Sequence, residues 1–311
     1  MNMARRIWID TDPGFDDLAA IVLAAAWPEL QIEGVGVVAG NAPLERVLDN
    51  TLRLADLIGL ATPIYAGCDR PLVRSRETAE NVLGAGALGT SGQSLPQTAR
   101  QPAAGHAVLK LIEAAKQNPG ELTLVAIGPL TNVALAMRLE PTLPRLLREI
   151  VLMGGSTDRG NHTAAAEFNI YADPEAAAVV FGSGAHITMF GLNLTRQVPL
   201  RWRHVELVRG SGSPNAQLWA DLMDYYLRIR DRSGQGSMPL HDPVTVAYLI
   251  KPELFTLQLA HVSVETSGTY ALGATVCEFR IPERAEPNAQ VAIQANGERV
   301  MELVVEAFAR L

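Results

Sequence analysis

Short apolar runs alternate with stretches of helical spacing through most of the chain. Residues 7–9 (Ile-Trp-Ile) read as a short buried strand and 18–27 as a helix, so the polar stretch between them is a strand-to-helix turn. Residues 31–39 alternate and then turn wholly apolar, as a buried parallel strand does, and stop at Gly40-Asn41. Leucines, Val47 and Ile58 recur at helical spacing within 43–59, and 63–67 gives a third short strand. Residues 68–102, rich in Gly, Ser, Arg and Pro, form a long excursion, which in a compact domain is usually a functional loop. The alternation then resumes: helix 103–117, strand 122–127, a helix from Thr131, another at 142–148 and strand 150–153. Asp173-Pro174 opens a further helix, with Asp as N-cap and Pro in the first helical position, and a strand follows at 186–190. A helix occupies 242–250. Strand-like segments at 255–265, 275–280 and 289–295 then crowd together as an antiparallel edge, closed by a helix running to Arg310.

Strands alternating with helices imply right-handed crossovers. The expected fold is therefore α/β: an open, mainly parallel, Rossmann-like sheet with helices on both faces and a small antiparallel extension. Length alone allows two domains, but α/β chains of 311 residues are often single, and 1–311 is read as one. Ligands of open α/β sheets bind outside the carboxyl ends of the strands. Those ends carry Asp12, Asp16 and Asp17; Asn41; Ile127-Gly128; Met153-Gly154-Gly155; and Asn193.

Composition narrows the partners. A net charge of −7 argues against a nucleic-acid partner, which needs a basic face. The longest apolar stretch, 18–27, is far short of the ~20 residues that cross a bilayer, so no membrane association is expected. Arg5-Arg6 precedes only three apolar residues, unlike a signal peptide, and a cytoplasmic location is expected. Cys68 and Cys277 stand alone, without CxxC spacing.

The densest chemistry lies in Asp10-Thr11-Asp12-Pro13-Gly14-Phe15-Asp16-Asp17. Pro13-Gly14 bends the backbone and can return Asp12 towards Asp16 and Asp17. Carboxylates held that close raise one another's pKa, and a bound hard cation removes the conflict, Ca²⁺ better than Mg²⁺ when the ligands are carboxylates and carbonyls. Two other readings stay open: acids favoured in the first turn of a helix, and a haloacid-dehalogenase-type phosphatase with Asp10 as nucleophile and Asp12 as acid. The phosphatase needs a lysine, and Lys110, Lys116 and Lys251 lie in or just after helices. Gly84-Ala-Gly86-Ala-Leu-Gly89 has the letters of a dinucleotide motif without the preceding strand. His241-Asp242 stands at the mouth of a helix, where Asp242 could merely cap it, and Glu167-Phe168-Asn169 could be a solvated strand end.

Together these pieces resemble the inosine-uridine-preferring nucleoside hydrolases. The resemblance rests on Asp10 to Asp17, Val38-Ala-Gly-Asn41, Ile127-Gly-Pro-Leu-Thr-Asn132, Val151-Leu-Met-Gly-Gly155, Gly160-Asn161, Ala166-Glu-Phe-Asn169, Asp173-Pro-Glu-Ala176 and Pro239-Leu-His-Asp-Pro243. It implies Ca²⁺ held by Asp12, Asp17, Asp242 and the carbonyl of Ile127, and ribose hydroxyls gripped by Asp16, Asn41, Asn161, Glu167, Asn169 and Asp242, with Met153 lining the sugar pocket. It further implies Asp12 as the base that activates water and His241 as the acid that assists the departing nucleobase. A small ribonucleoside is then the partner, and relatives form homodimers or homotetramers. The chain departs from the family where Leu83-Gly84 stands for a His-Gly element, and in the loop expected before His241, with Tyr225, Tyr226, Ile229 and Ser233, which matches neither the purine- nor the pyrimidine-preferring pattern. A nucleoside-binding protein without turnover is the reading from another class.

Overall fold

The computed structural model describes residues 4–230 and 236–311. Its strands are β1 (Arg5–Thr11), β2 (Leu30–Val37), β3 (Ile64–Ala66), β4 (Leu122–Ala126), β5 (Leu147–Met153), β6 (Ile187–Phe190), β7 (Pro199–Arg201), β8 (Ser237–Pro239), β9 (Phe255–Val264), β10 (Thr275–Glu278) and β11 (Ala289–Ala295). Nine of them form one sheet in the order β10-β9-β11-β6-β5-β4-β1-β2-β3, while β7 and β8 make a separate antiparallel pair. From β3 through to β6 every pairing is parallel. β11 pairs parallel with β6 and antiparallel with β9, so the segment expected within the antiparallel edge is where the sheet changes sense.

Side chains two apart on each inner strand enter the same core. Ile7 and Ile9 of β1, Val125 next to β4's end and Val151 of β5 pack with the helices Phe15–Ala26, Pro243–Ile250 and Gly297–Arg310. Trp8, Leu124, Ile150 and Leu152 point the other way, into a second core with the helices Ala107–Gln117, Thr131–Leu139 and Pro174–Phe181. The period of two in the strands thus produces helices on both faces, as the alternation of elements required. The helix Phe15–Ala26 is buried on nearly all sides, because it lies between the sheet and the helices starting at Pro243 and Gly297.

Several boundaries differ from the sequence reading. The helix expected at 142–148 is a single turn, Leu143–Leu146, because Leu147 already pairs with β4. Residues 191–238, for which periodicity gave no elements, hold the helices Trp202–Arg209 and Ala216–Arg230. Tyr225, Tyr226 and Ile229, expected in a loop, therefore lie on a helix, and Ser233 falls outside the described residues. Among the described residues no helix is long and apolar enough to cross a membrane.

Candidate active site

β1 and β4 are neighbours at the point where the strand order reverses, and their carboxyl ends open a crevice there. β1 ends in Thr11, the chain turns at Pro13-Gly14, and the helix Phe15–Ala26 begins. Asp17 closes this turn on itself: its carboxylate accepts the Gly14 N–H at 3.0 Å, the Asp12 N–H at 3.1 Å and the Thr11 hydroxyl at 2.6 Å. Asp12 is fully buried. Its Oδ2 accepts the Asn41 N–H at 2.7 Å, whereas its Oδ1 has no hydrogen-bond partner among the described residues. Two glycines make room for it. A Cβ at Gly40 would lie 2.1 Å from Oδ2 and one at Gly128 2.7 Å from Oδ1, distances no side chain tolerates.

From the far end of the sequence comes Asp242, at the start of the helix Pro243–Ile250; its carboxylate makes no capping bond, so the alternative that it merely caps the helix does not hold. The helix packs on Phe15–Ala26, and carboxylate oxygens of Asp16, Asp17 and Asp242 come within 4.8 Å of one another. Two positive helix ends thus face one acidic cluster, which eases but does not cancel the repulsion. Burial first, then the neighbouring carboxylates, hold Asp12 and Asp242 well above the usual range. Burial also raises Asp17, against the hydrogen bonds it accepts from Thr11 and the backbone. A buried orphan oxygen next to three crowded carboxylates fits a hard divalent cation: it supplies the missing partner and removes the repulsion.

Facing this cluster is the loop after β5. Glu167 is not a solvated strand end; it caps the short helix Phe168–Ala172, accepting the N–H groups of Asn169 at 2.9 Å, Ile170 at 3.2 Å and Gly155 at 2.9 Å. Burial nonetheless pushes it up to about 7. Asn169 donates to the carbonyls of Ile127 at 2.8 Å and Met153 at 3.2 Å, and Asn161 Oδ1 accepts the Phe168 N–H at 3.0 Å. His241 Nδ1 lies 2.9 Å from the Thr195 hydroxyl.

Asp16, Asn41, Ile127, Met153, Asn161, Glu167, Asn169, His241 and Asp242 line one open cleft of about 610 Å³, including solvent space at its mouth. Asp12 and Asp17 are buried behind it, joined to Asn41 by hydrogen bonds. Asp10 turns away: it is buried, accepts from Asn132 Nδ2 at 2.9 Å, and does not line the cleft. No lysine lines it either; Lys110, Lys116 and Lys251 face Glu113, Glu140 and Glu253. The phosphatase arrangement is therefore absent. Asn193 is also away from the cleft, bonded to the Ala292 carbonyl at 3.0 Å and to the Thr157 N–H at 3.3 Å. Lining residues that sequence reasoning did not single out are Ala79, Val82, His162 and Phe168; Tyr226, noted there, also lines the cleft, and Leu83 adds an apolar wall. Gly84 and Gly89 press that wall onto Tyr225 of the helix Ala216–Arg230, since a Cβ at either would strike its ring or hydroxyl.

Residues 7–302 match the sequence profile of the inosine-uridine preferring nucleoside hydrolases. The chain belongs to this family. It is 40% identical over 310 residues to the pyrimidine-specific ribonucleoside hydrolase RihA of Citrobacter koseri, covering 99% of both chains. Among solved structures it resembles the plant nucleoside hydrolase PpNRh1, with a TM-score of 0.91 and 32% identity over 98% of this chain and 99% of that one. The purine-preferring ribonucleoside hydrolase from Gardnerella vaginalis gives a TM-score of 0.91 and 29% identity, covering 98% of each chain. As a nucleoside hydrolase the protein is a glycosidase, and the acidic cleft at the β1/β4 switch point is the place on it that suits the chemistry. Relatives named for purines and for pyrimidines share this nucleoside hydrolase fold, so the fold does not choose the base.

Proposed function

We propose that the protein is a Ca²⁺-dependent ribonucleoside hydrolase that cleaves the N-glycosidic bond to free base and ribose. The observation that carries this reading is the buried, unpartnered Oδ1 of Asp12 beside the Asp16, Asp17 and Asp242 carboxylates. Asp12, Asp17, Asp242 and the Ile127 carbonyl would hold the cation; Ile127 already accepts from Asn169, and a carbonyl has a second lone pair to give. When bound, Ca²⁺ supplies charge neutralisation and Lewis acidity toward oxygen donors.

The chain's own groups account for the remaining steps. Cleaving the bond builds positive charge on the ribose ring, and a cleft lined by Asp16, Glu167 and Asp242 favours that oxocarbenium-like state over the neutral substrate. Asp12 takes the proton of the attacking water through Oδ1, while Asn41 fixes Oδ2. His241, its ring set by Thr195, donates to the departing nucleobase, a poor leaving anion without a proton. The ribose hydroxyls meet Asp16, Asn41, Asn161, Glu167, Asn169 and Asp242, with Met153 against the ring. A site whose polar groups are built for hydroxyls rejects 2′-deoxyribose strongly.

Incubation with inosine, uridine, cytidine and adenosine, with and without a chelator, tests the reading. Ribose should be released and the release should stop on chelation and return with Ca²⁺. No release from any of the four between pH 5 and 9 would sink it. His241→Ala should slow natural nucleosides far more than a nitrophenyl riboside with its activated leaving group; equal losses on both would remove His241 from the acid role.

A further inference from the structure

One rim of the cleft plays no part in the chemistry proposed above. His162 lines it from the loop that carries Asn161 and Glu167, and its Nε2 lies 3.2 Å from Oε2 of Glu77, in the long segment between β3 and the helix Ala107–Gln117. The pair thus ties two loops, remote in sequence, across the edge of one cavity. Its imidazole is braced by Tyr171 at 4.3 Å and Phe168 at 5.5 Å between ring centroids. Glu77 and Tyr171 also line an adjoining small cavity with Arg74. The Arg74 guanidinium is committed, with Nε 3.0 Å from both oxygens of Glu175 and Nη2 2.6 Å from the Thr266 carbonyl. A partly exposed pair such as Glu77 with His162 adds little to folding, so its position matters more than its strength.

The position follows from the ribonucleoside reading, on which this inference rests. The vicinal 2′,3′-diol belongs with Asp16 and Asp242, where carboxylates and the cation site converge. The hydroxyl left over is the primary one at C5′. Asn161 and Glu167 line the cleft from the same loop as His162, across from the acidic cluster. We propose that the Glu77–His162 pair closes the cleft over C5′ and makes the enzyme reject 5′-phosphorylated substrates. A 5′-phosphate carries about −1.5 to −2 charges at neutral pH and would have to pass the rim where the Glu77 carboxylate stands. At an effective dielectric of ~20 and several ångströms, that repulsion amounts to discrimination on the order of 10²-fold.

The test is release of free base from uridine and inosine and from their 5′-monophosphates by wild type, Glu77→Gln and His162→Ala. Wild type should cleave the monophosphates at least ~10²-fold less efficiently in kcat/KM. Glu77→Gln keeps the shape without the charge; it should raise kcat/KM on the monophosphates about tenfold or more, leaving the nucleosides within about threefold. His162→Ala, which opens the same rim, should also raise monophosphate turnover. Monophosphate rates unchanged in both variants, or nucleoside and monophosphate rates moving in parallel, would overturn the proposal. Dissociation constants of ribose and ribose 5-phosphate for the same three proteins repeat the comparison without turnover: the gap should narrow in both variants, and an equal gap in all three would overturn it. A wild type that cleaves no nucleoside would defeat the hydrolase reading instead, and leave the binding comparison standing as the test of this one.

Discussion

Burial opposes the ionised form of the carboxylates around the cleft: Asp12, Asp17 and Asp242 all lie above the ordinary range, and Glu167 reaches about 7. Protons therefore compete at these carboxylates with the cation proposed above. For the proposed Ca²⁺ site the sign is fixed: lowering the pH adds protons and should weaken Ca²⁺, and raising it should do the opposite. Calorimetry in buffers of different ionisation enthalpy should show protons released on Ca²⁺ binding and affinity falling from pH 8 to pH 6; a pH-independent affinity would contradict the assignment. Gly40→Ala sets a Cβ against Asp12 Oδ2 and against Pro129. It should lower kcat/KM by about 10²-fold or more, the scale on which a misplaced reacting group acts, with Asp12→Ala at least as severe. Activity within threefold of wild type would show that Asp12 can move without consequence. Asp12, Asp17, Asn41 and Asp242 were legible in the sequence because each sits in a short motif at a strand or helix end. His162 was not: its partner Glu77 lies in an aperiodic loop, and only the folded chain brings the two together.

The helix Trp202–Arg209 shows how an element hidden from periodicity is held. Its start is fixed by His204, whose Nδ1 accepts the Arg201 N–H at 3.0 Å, so the neutral imidazole does the work of a cap. Burial, then the adjoining Arg203 charge, lowers its pKa to about 4. With an unfolded value near 6.5, the unfolded chain binds the extra proton between those limits. The stability that His204 contributes is thus complete above pH 6.5 and drains away as the pH falls towards 4, by up to roughly 3 kcal/mol. The raised carboxylates act in the opposite direction, so the comparison needs a variant. His204→Gln should flatten the loss of melting temperature between pH 7 and 5; an unaltered slope would place the acid sensitivity elsewhere. This helix was illegible because the spacing of Val205 and Val208 is short and charged residues surround it. In Ala216–Arg230, Trp219, Leu222, Met223 and Leu227 do carry helical spacing and are buried, but the paired tyrosines drew attention to a loop pattern instead.

At the scale of the whole molecule, alternation of elements was enough to foretell a parallel sheet covered on both faces, since every inner strand feeds two cores. The strand order, and with it the crevice between β1 and β4, is not written in any local stretch; it follows from which crossovers close, a property of the assembled chain. Asp16 and Asp17 begin one helix of the acidic cluster and Asp242 begins the other, with more than two thirds of the sequence between them. During synthesis the first two emerge long before the third. A nascent chain that has already paired β1 with β2 and β4 still has no closed acidic cluster, and the cluster is complete only when the segment from Pro239 onward docks against a helix made near the start.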